Sequence, residues 1–324
     1  MAKLRALVVG SGWGRHHASA YHAHPDAELV GICGRSESGR SKALSHQFQV
    51  PLYTDLAKAQ KELKPDIVSC ATKEPDHEVV TIQALKAGSH VYCEKLLADT
   101  AEGAERMVKA ARESSRQLMV GYNYRFSPSA LKLREIVTSG KLGDIAFACA
   151  MTFGYCLHHT LDLVCSLMGE VEEAYSILDT NPPEPTAVKF EQYGNFVYSA
   201  SRCRSINLRF KGGAVGTLIS SDYMRFGHPA VRVDLVGSKA RANMDDIVGR
   251  VTIFGKDREA EVWMPSLIGD RLDLGSTTQA AVSAFVDSLR DGKPVPIPGS
   301  DGLNRLRLEV ALLKSAQENH PVRL

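Results

Sequence analysis

The sequence holds no long hydrophobic run: nothing in its 324 residues approaches the ~18 consecutive apolar residues that suggest a membrane-crossing helix. A surplus of one charge is missing as well. The 39 Lys and Arg stand against 37 Asp and Glu, a formal net charge of +2, and they are scattered rather than striped. That distribution argues against nucleic acid or an anionic membrane as the main partner and leaves a small molecule as the expected one. Paired cysteines are absent: Cys33, Cys70, Cys93, Cys149, Cys156, Cys165 and Cys203 form no Cys-x-x-Cys motif. Such an odd, unclustered set, partly within strand-like apolar runs, reads as reduced thiols of a cytoplasmic protein. Metal-ligand spacing is lacking too. His16-His17 and His158-His159 are adjacent pairs whose side chains would leave a helix in different directions, and His22 and His24 are hardly better placed. No metal is expected. The opening residues Met1–Arg5 pass straight into a strand-like run without a cleavage-site pattern, so no leader is expected either.

What is present is a regular alternation. The chain exceeds the size at which one hydrophobic core keeps growing, so two domains are expected. Strand patterns fall at Leu4–Gly10, Glu28–Gly34, Asp66–Ala71, His90–Cys93 and Gln117–Gly121. Helix patterns lie between them at Arg15–His24, Ser38–Gln47, Asp55–Glu62, His77–Lys86 and Ala101–Ser115. Near-continuous apolar runs alternating with helices imply a parallel sheet covered on both faces. After Tyr122 the rhythm changes. Helices are expected at Pro128–Ser139 and Leu157–Met168, then strands at Ile206–Phe210, Ala214–Ser220, Val231–Val236, Arg250–Phe254 and Glu261–Met264. Lys211-Gly212-Gly213 supplies a hairpin turn. Two last helices, Thr277–Arg290 and Asp301–Gln317, flank the break Pro294–Pro298. The expected fold is α/β: a Rossmann-type parallel sheet over 1–122, then an α+β domain over 123–324 with a mainly antiparallel open sheet.

Gly10-Ser11-Gly12-Trp13-Gly14 joins the first strand to the first helix. A glycine turn there lets backbone N–H groups approach a pyrophosphate, which the helix N-terminus also attracts. The usual G-x-G-x-x-G spacing is altered, since Arg15 holds the sixth position and Gly14 comes one residue early. A tight turn without ligand is the alternative. At the end of the second strand an NAD-binding domain usually carries Asp or Glu for the ribose hydroxyls. This chain has Gly34, then Arg35 and Ser36, with Arg40 nearby. Glycine leaves room for a 2′-phosphate and arginine binds it bidentately, so NADP is expected over NAD, with a plain solvated loop as the competing reading.

Lys95 follows the strand His90–Cys93, where ligands of open α/β sheets lie beyond the carboxyl ends. A partly desolvated lysine beside a cationic nicotinamide is usable as an acid or base. Glu94-Lys95 and its approach, Ala84-Leu85-Lys86-Ala87-Gly88-Ser89-His90-Val91, resemble the Glu-Lys-Pro motif of the Gfo/Idh/MocA oxidoreductases, the glucose–fructose oxidoreductase and inositol dehydrogenase group. Thr72 and His77 match the family's Thr-Pro-Asn…His turn. Asn123 and Arg125 in Gly121–Pro128 match its Asn-x-Arg-Phe segment, and His17 its histidine after the glycine turn. Gly140-Lys141-Leu142-Gly143 and Asp162…Gly169 also fit.

The resemblance implies a nicotinamide-dependent dehydrogenase or reductase acting on a secondary alcohol or ketone of a sugar, polyol or cyclitol, working as a homodimer or homotetramer. Lys95 would move the substrate proton, helped by His159 at the position of the family's histidine, with Tyr155 where the family has aspartate. Asn123, Arg125 and His158 would face the substrate. Gly10, Gly12, Trp13, Gly14, Arg35, Ser36, Arg40, Thr72, Glu74, His77, Glu94 and Lys95 would line the cofactor.

Three departures stand out. Leu96 replaces the proline, so a trans Lys95–Leu96 bond is expected, a cis bond before leucine costing about 3 kcal/mol. Lys73-Glu74-Pro75 replaces Thr-Pro-Asn. The stretch from Asp144 to His159 is short, which removes a wall of the usual sugar pocket. Two other readings remain at this point. Gly31–Tyr53 resembles thiazolinyl imine reductases, although those usually lack the lysine, and the departures are compatible with an inactive NADP sensor.

Overall fold

The computed structural model describes residues 2–179, 203–221, 231–256, 260–265 and 274–324. The chain divides into two compact units, Met1–Asn123 with Asp273–Leu306, and Tyr124–Leu272 with Arg307–Leu324.

In the first unit, β1 (Leu4–Val9), β2 (Ala27–Cys33), β3 (Leu52–Tyr53), β4 (Ile67–Cys70), β5 (His90–Cys93) and β6 (Leu118–Val120) form one sheet in the order β3-β2-β1-β4-β5-β6. Every pairing in it is parallel. The inner strand β4 and the edge strand β6 are buried at every residue, as covering on both faces demands. Helices α1 (Gly14–Ala23), α2 (Gly39–Phe48), α3 (Leu56–Leu63), α4 (Glu74–Lys86) and α5 (Ala101–Glu113) connect the strands. Ser38, Asp55 and Thr100 cap α2, α3 and α5 by accepting backbone N–H groups, which fixes where each helix begins. The helix α4 starts three residues before the expected His77, with Pro75 in its first turn, where a missing N–H is harmless. A late helix, labelled α8 (Leu274–Arg290) in chain order, belongs to this unit. Its Phe285 meets the Tyr92 ring edge to face, and its Arg290 bonds Asp26. The strand order reverses between β1 and β4, so the ligand crevice of this sheet lies at the carboxyl ends of those strands.

The second unit carries β7 (Ile145–Phe153), β8 (Val171–Leu178), β9 (Cys203–Phe210), β10 (Val215–Ser221), β11 (Val231–Gly237), β12 (Arg241–Met244), β13 (Val251–Phe254), β14 (Ala260–Trp263) and β15 (Val322–Arg323). They pair as β14-β13-β12-β11-β7-β10-β9-β8-β15, antiparallel except between β7 and β10. One face, with Ala148, Ala150, Ile206, Leu218, Val233 and Leu235, is buried. Helices α6 (Pro128–Thr138) and α7 (Leu157–Met168) pack on that side, on β12–β13 and on β7 respectively. The other face leaves Phe147, Met151 and Val215 each at least 40% exposed. The expected α/β class, parallel sheet first and mainly antiparallel sheet second, is the one observed. The last helix, α9 (Gly299–Glu318), gives residues to both units. Among the described residues no helix is long and apolar enough to cross a membrane.

Candidate active site

The glycine turn is built for close approach. Gly10 has φ +103°, and a Cβ there would lie 2.3 Å from the Ala71 carbonyl oxygen at the end of β4. Gly14, the first residue of α1, packs against Val8, where a Cβ would stand 3.0 Å from the valine methyl. Trp13 occupies the N-cap with no side-chain hydrogen bond to the helix, so the cap residue itself does not compete for the first N–H groups of α1. Its ring packs on His16 at 4.5 Å. A pyrophosphate fits such a terminus. Arg40, in the first turn of α2, reaches over this turn, its Nη1 3.8 Å from a Cβ built on Gly12. Gly34 directly follows β2, where an acid would stand in an NAD-binding site. Arg35 is exposed and pairs with Asp76 at 2.6 Å. Ser36 uses its carbonyl to hold the Ser41 hydroxyl. Thr72 follows β4 with its hydroxyl 3.4 Å from Cys70 Sγ, and Glu74 opens α4.

Lys95 comes directly after β5 and Glu94, and only 8% of it is exposed. The Lys95–Leu96 peptide is cis, which corrects the trans bond expected from the missing proline. Packing sets the isomer here: Leu96 and Leu97 are buried, and His77 Nδ1 donates to the Leu96 carbonyl at 2.7 Å. That bond places His77, fully buried, behind the lysine turn. Glu94 is also buried, and His17 Nε2 lies 2.9 Å from its Oε1.

The register of β4 on β5 sets Cys70 beside Cys93. With His77 they form a buried cluster whose ligand atoms lie within 4.8 Å of one another, a grouping that sequence spacing did not reveal. Burial pushes the Cys70 thiol up, but the hydrogen bond from Cys93 and the nearby His77 outweigh it and draw Cys70 down. Burial and the same bond push Cys93 well up.

The residues expected at the substrate are engaged in internal bonds. In the first unit, Asn123 Nδ2 donates to Thr277 and Thr278 hydroxyls at 2.9 Å each. In the second, Arg125 makes a two-pronged pair with buried Asp162, Nε–Oδ2 2.6 Å and Nη2–Oδ1 2.5 Å. His158 is fully buried with Nδ1 2.5 Å from Glu309 Oε1. His159 keeps 7% exposure, and its ring stacks on Tyr124 at 4.3 Å and 18°. Tyr155 falls in the turn Gly154–Cys156, and its side chain lies outside the described residues. That turn leads β7 directly into α7, in keeping with the short stretch before His159. Tyr124 beside His159, Glu309 beside His158, and Ser69, 2.7 Å from His17 Nδ1, carried no signal in the sequence.

Fold and glycine turn together define a domain of the dinucleotide-binding type. Residues 4–122 match the Gfo/Idh/MocA model described as an oxidoreductase family, NAD-binding Rossmann fold, and residues 148–324 match that family's C-terminal alpha/beta domain. The chain belongs to this family. It is similar to the D-glucoside 3-dehydrogenase of Escherichia coli K12, 35% identical over 156 residues, which are 47% of this chain and 44% of that enzyme. The chain thus spans under half of that relative's length. Over 99% of its length it is 25% identical to the myo-inositol 2-dehydrogenase of Thermotoga maritima, covering 98% of that protein. In fold it resembles levoglucosan dehydrogenase solved with NADH and levoglucosan, with a TM-score of 0.86, 19% identity and 99% of each chain covered. The chain is therefore a member of an oxidoreductase family whose N-terminal domain is described as an NAD-binding Rossmann fold.

Proposed function

We propose that this chain is an NADP-preferring dehydrogenase or reductase that interconverts a secondary alcohol and a ketone on a sugar, polyol or cyclitol. The observation that carries the reading is Lys95, buried beside the carboxyl ends of the strands where the sheet order reverses. When bound, the nicotinamide supplies hydride exchange. Lys95 holds the substrate oxygen and carries its proton, and its near-complete burial keeps competing water away. His159 is assigned as the second proton-handling group, its ring plane held by Tyr124. Gly34 in place of an acid, with Arg35 and Arg40 close by, supports the 2′-phosphate preference, and the relatives that act on glucosides and inositol support the substrate class. Seven free cysteines support a cytoplasmic location. The apolar face bearing Phe147, Met151 and Val215 supports assembly of two or four copies through that sheet.

The test is fluorescence titration with NADPH and NADH, then turnover on myo-inositol, alkyl glucosides, xylose, levoglucosan and the matching ketones. NADPH binds more tightly and at least one polyol is oxidised. Lys95→Ala keeps cofactor binding and loses turnover by about 10²-fold or more. Full turnover in that variant would overturn the assignment.

A further inference from the structure

Behind Lys95, within the first unit, runs a file of polar side chains sealed from solvent. The Tyr21 hydroxyl of α1 donates to Ser69 Oγ of β4 at 3.3 Å, and Ser69 Oγ lies 2.7 Å from His17 Nδ1. His17 Nε2 then meets Glu94 Oε1 at 2.9 Å. Tyr21, Ser69 and His17 are fully buried, and Glu94 is 8% exposed.

Chemistry orders the protons in this file. Glu94 as a carboxylate can only accept from Nε2, and Ser69, which accepts from Tyr21, gives its one proton to Nδ1 of the neutral imidazole. His17 therefore carries its proton on Nε2 and donates it to the Glu94 carboxylate, a charge-assisted bond. The second carboxylate oxygen accepts the backbone N–H of Lys95 at 3.3 Å. On the far side of the lysine, His77 holds the Leu96 carbonyl. Gly121 makes room for this carboxylate, since a Cβ there would stand 3.0 Å from Oε1. Tyr92, whose ring meets His17 edge-on at 5.1 Å, has its hydroxyl pushed well up by burial and by the Glu94 charge, so it remains protonated. Cys93, the residue before Glu94, is pushed up as well.

We propose that His17 is a positioning residue for Lys95: by locking the Glu94 carboxylate it completes, with the His77–Leu96 bond, a clamp on the main chain either side of the lysine. The inference rests on Lys95 being the proton-handling group. The clamp acts on geometry, and a misplacement of about 1 Å at a reacting group can cost 10²-fold in rate.

The experiment compares wild type with His17→Leu, His17→Gln and Lys95→Ala on the polyol that wild type oxidises fastest. His17→Leu lowers kcat roughly 10- to 100-fold while KM and NADPH affinity stay within about twofold. Glutamine can place an amide N–H where Nε2 stood, so His17→Gln regains most of kcat. A mere loss of folded enzyme would show as fewer NADPH sites per chain. Long-range proton–nitrogen NMR of the wild-type imidazoles, with the His17 signals assigned by their absence in His17→Gln, reads the tautomer whether or not the leucine variant folds. The expected proton is on Nε2. Wild-type kcat in His17→Leu, or a proton on Nδ1 with none on Nε2, with Lys95→Ala inactive, overturns the clamp alone. Retained turnover in Lys95→Ala overturns the catalytic reading and the clamp with it.

Discussion

Replacing Asp162 by Asn tests how the second unit holds α7. Asp162 has no exposed surface on its side chain and Arg125 only 13%, and the two exchange both prongs at 2.6 and 2.5 Å. The pair ties the segment after Asn123 to α7, the helix that also presents His159. An amide keeps the shape but removes the charge, which leaves a guanidinium buried against a neutral group. Breaking a buried pair by removing one partner costs about 3–5 kcal/mol, and the residual exposure of Arg125 favours the lower end. At roughly 2–4 °C per kcal/mol for a unit of this size, 3 kcal/mol is about 6–12 °C in melting temperature. Differential scanning calorimetry reads it. Replacing both partners with apolar residues, Arg125→Met with Asp162→Leu, restores most of the loss, because both charges of the pair are then absent. A loss under about 1 kcal/mol for Asp162→Asn, the range of an exposed pair, would refute the reasoning.

Gly10→Ala sets a methyl 2.3 Å from the Ala71 carbonyl at a φ of +103°, so the turn must move. Calorimetry shows a lower melting temperature, and NADPH affinity falls by about tenfold or more through the displaced N–H groups. For His90, burial and then the charge of Arg116 hold the imidazole below its ordinary value of 6.5, against the pull of Asp66. Its Nδ1 accepts the Gln117 N–H, which requires the unprotonated ring nitrogen. The unfolded chain therefore binds more protons between the folded value and 6.5, and stability falls as pH is lowered through that window. His90→Asn, which keeps an acceptor but cannot be protonated there, flattens this acid limb in urea denaturation measured at several pH values.

The first unit was legible because each of its strands is a compact apolar run ended by a glycine or polar turn. The two-residue β3 is too short to leave a pattern. In the second unit, β7 reads Ile-Ala-Phe-Ala-Cys-Ala-Met-Thr-Phe, and its small residues, suited to a central strand under a helix, hide its β-branched signal. The charged Glu172 and Glu173 likewise mask β8. At the site, the glycine turn and Lys95 could be read because their meaning is local. The His17–Glu94 bond spans 77 residues and His158–Glu309 spans 151, so both depend on how sheets and helices register in space. Arg125 and Asp162 each matched a motif, yet their mutual bond appears only once α7 is in place. The cis Lys95–Leu96 bond was missed because side-chain packing, not the residue type after lysine, sets it.

The most direct measurement is a crystal structure of the enzyme with NADPH bound. In that complex the Lys95 ammonium turns toward the nicotinamide, an arginine from position 35 or 40 meets the 2′-phosphate, and Glu94 stays bonded to His17. A Lys95 side chain directed into solvent, away from the dinucleotide, would contradict its proton-handling role.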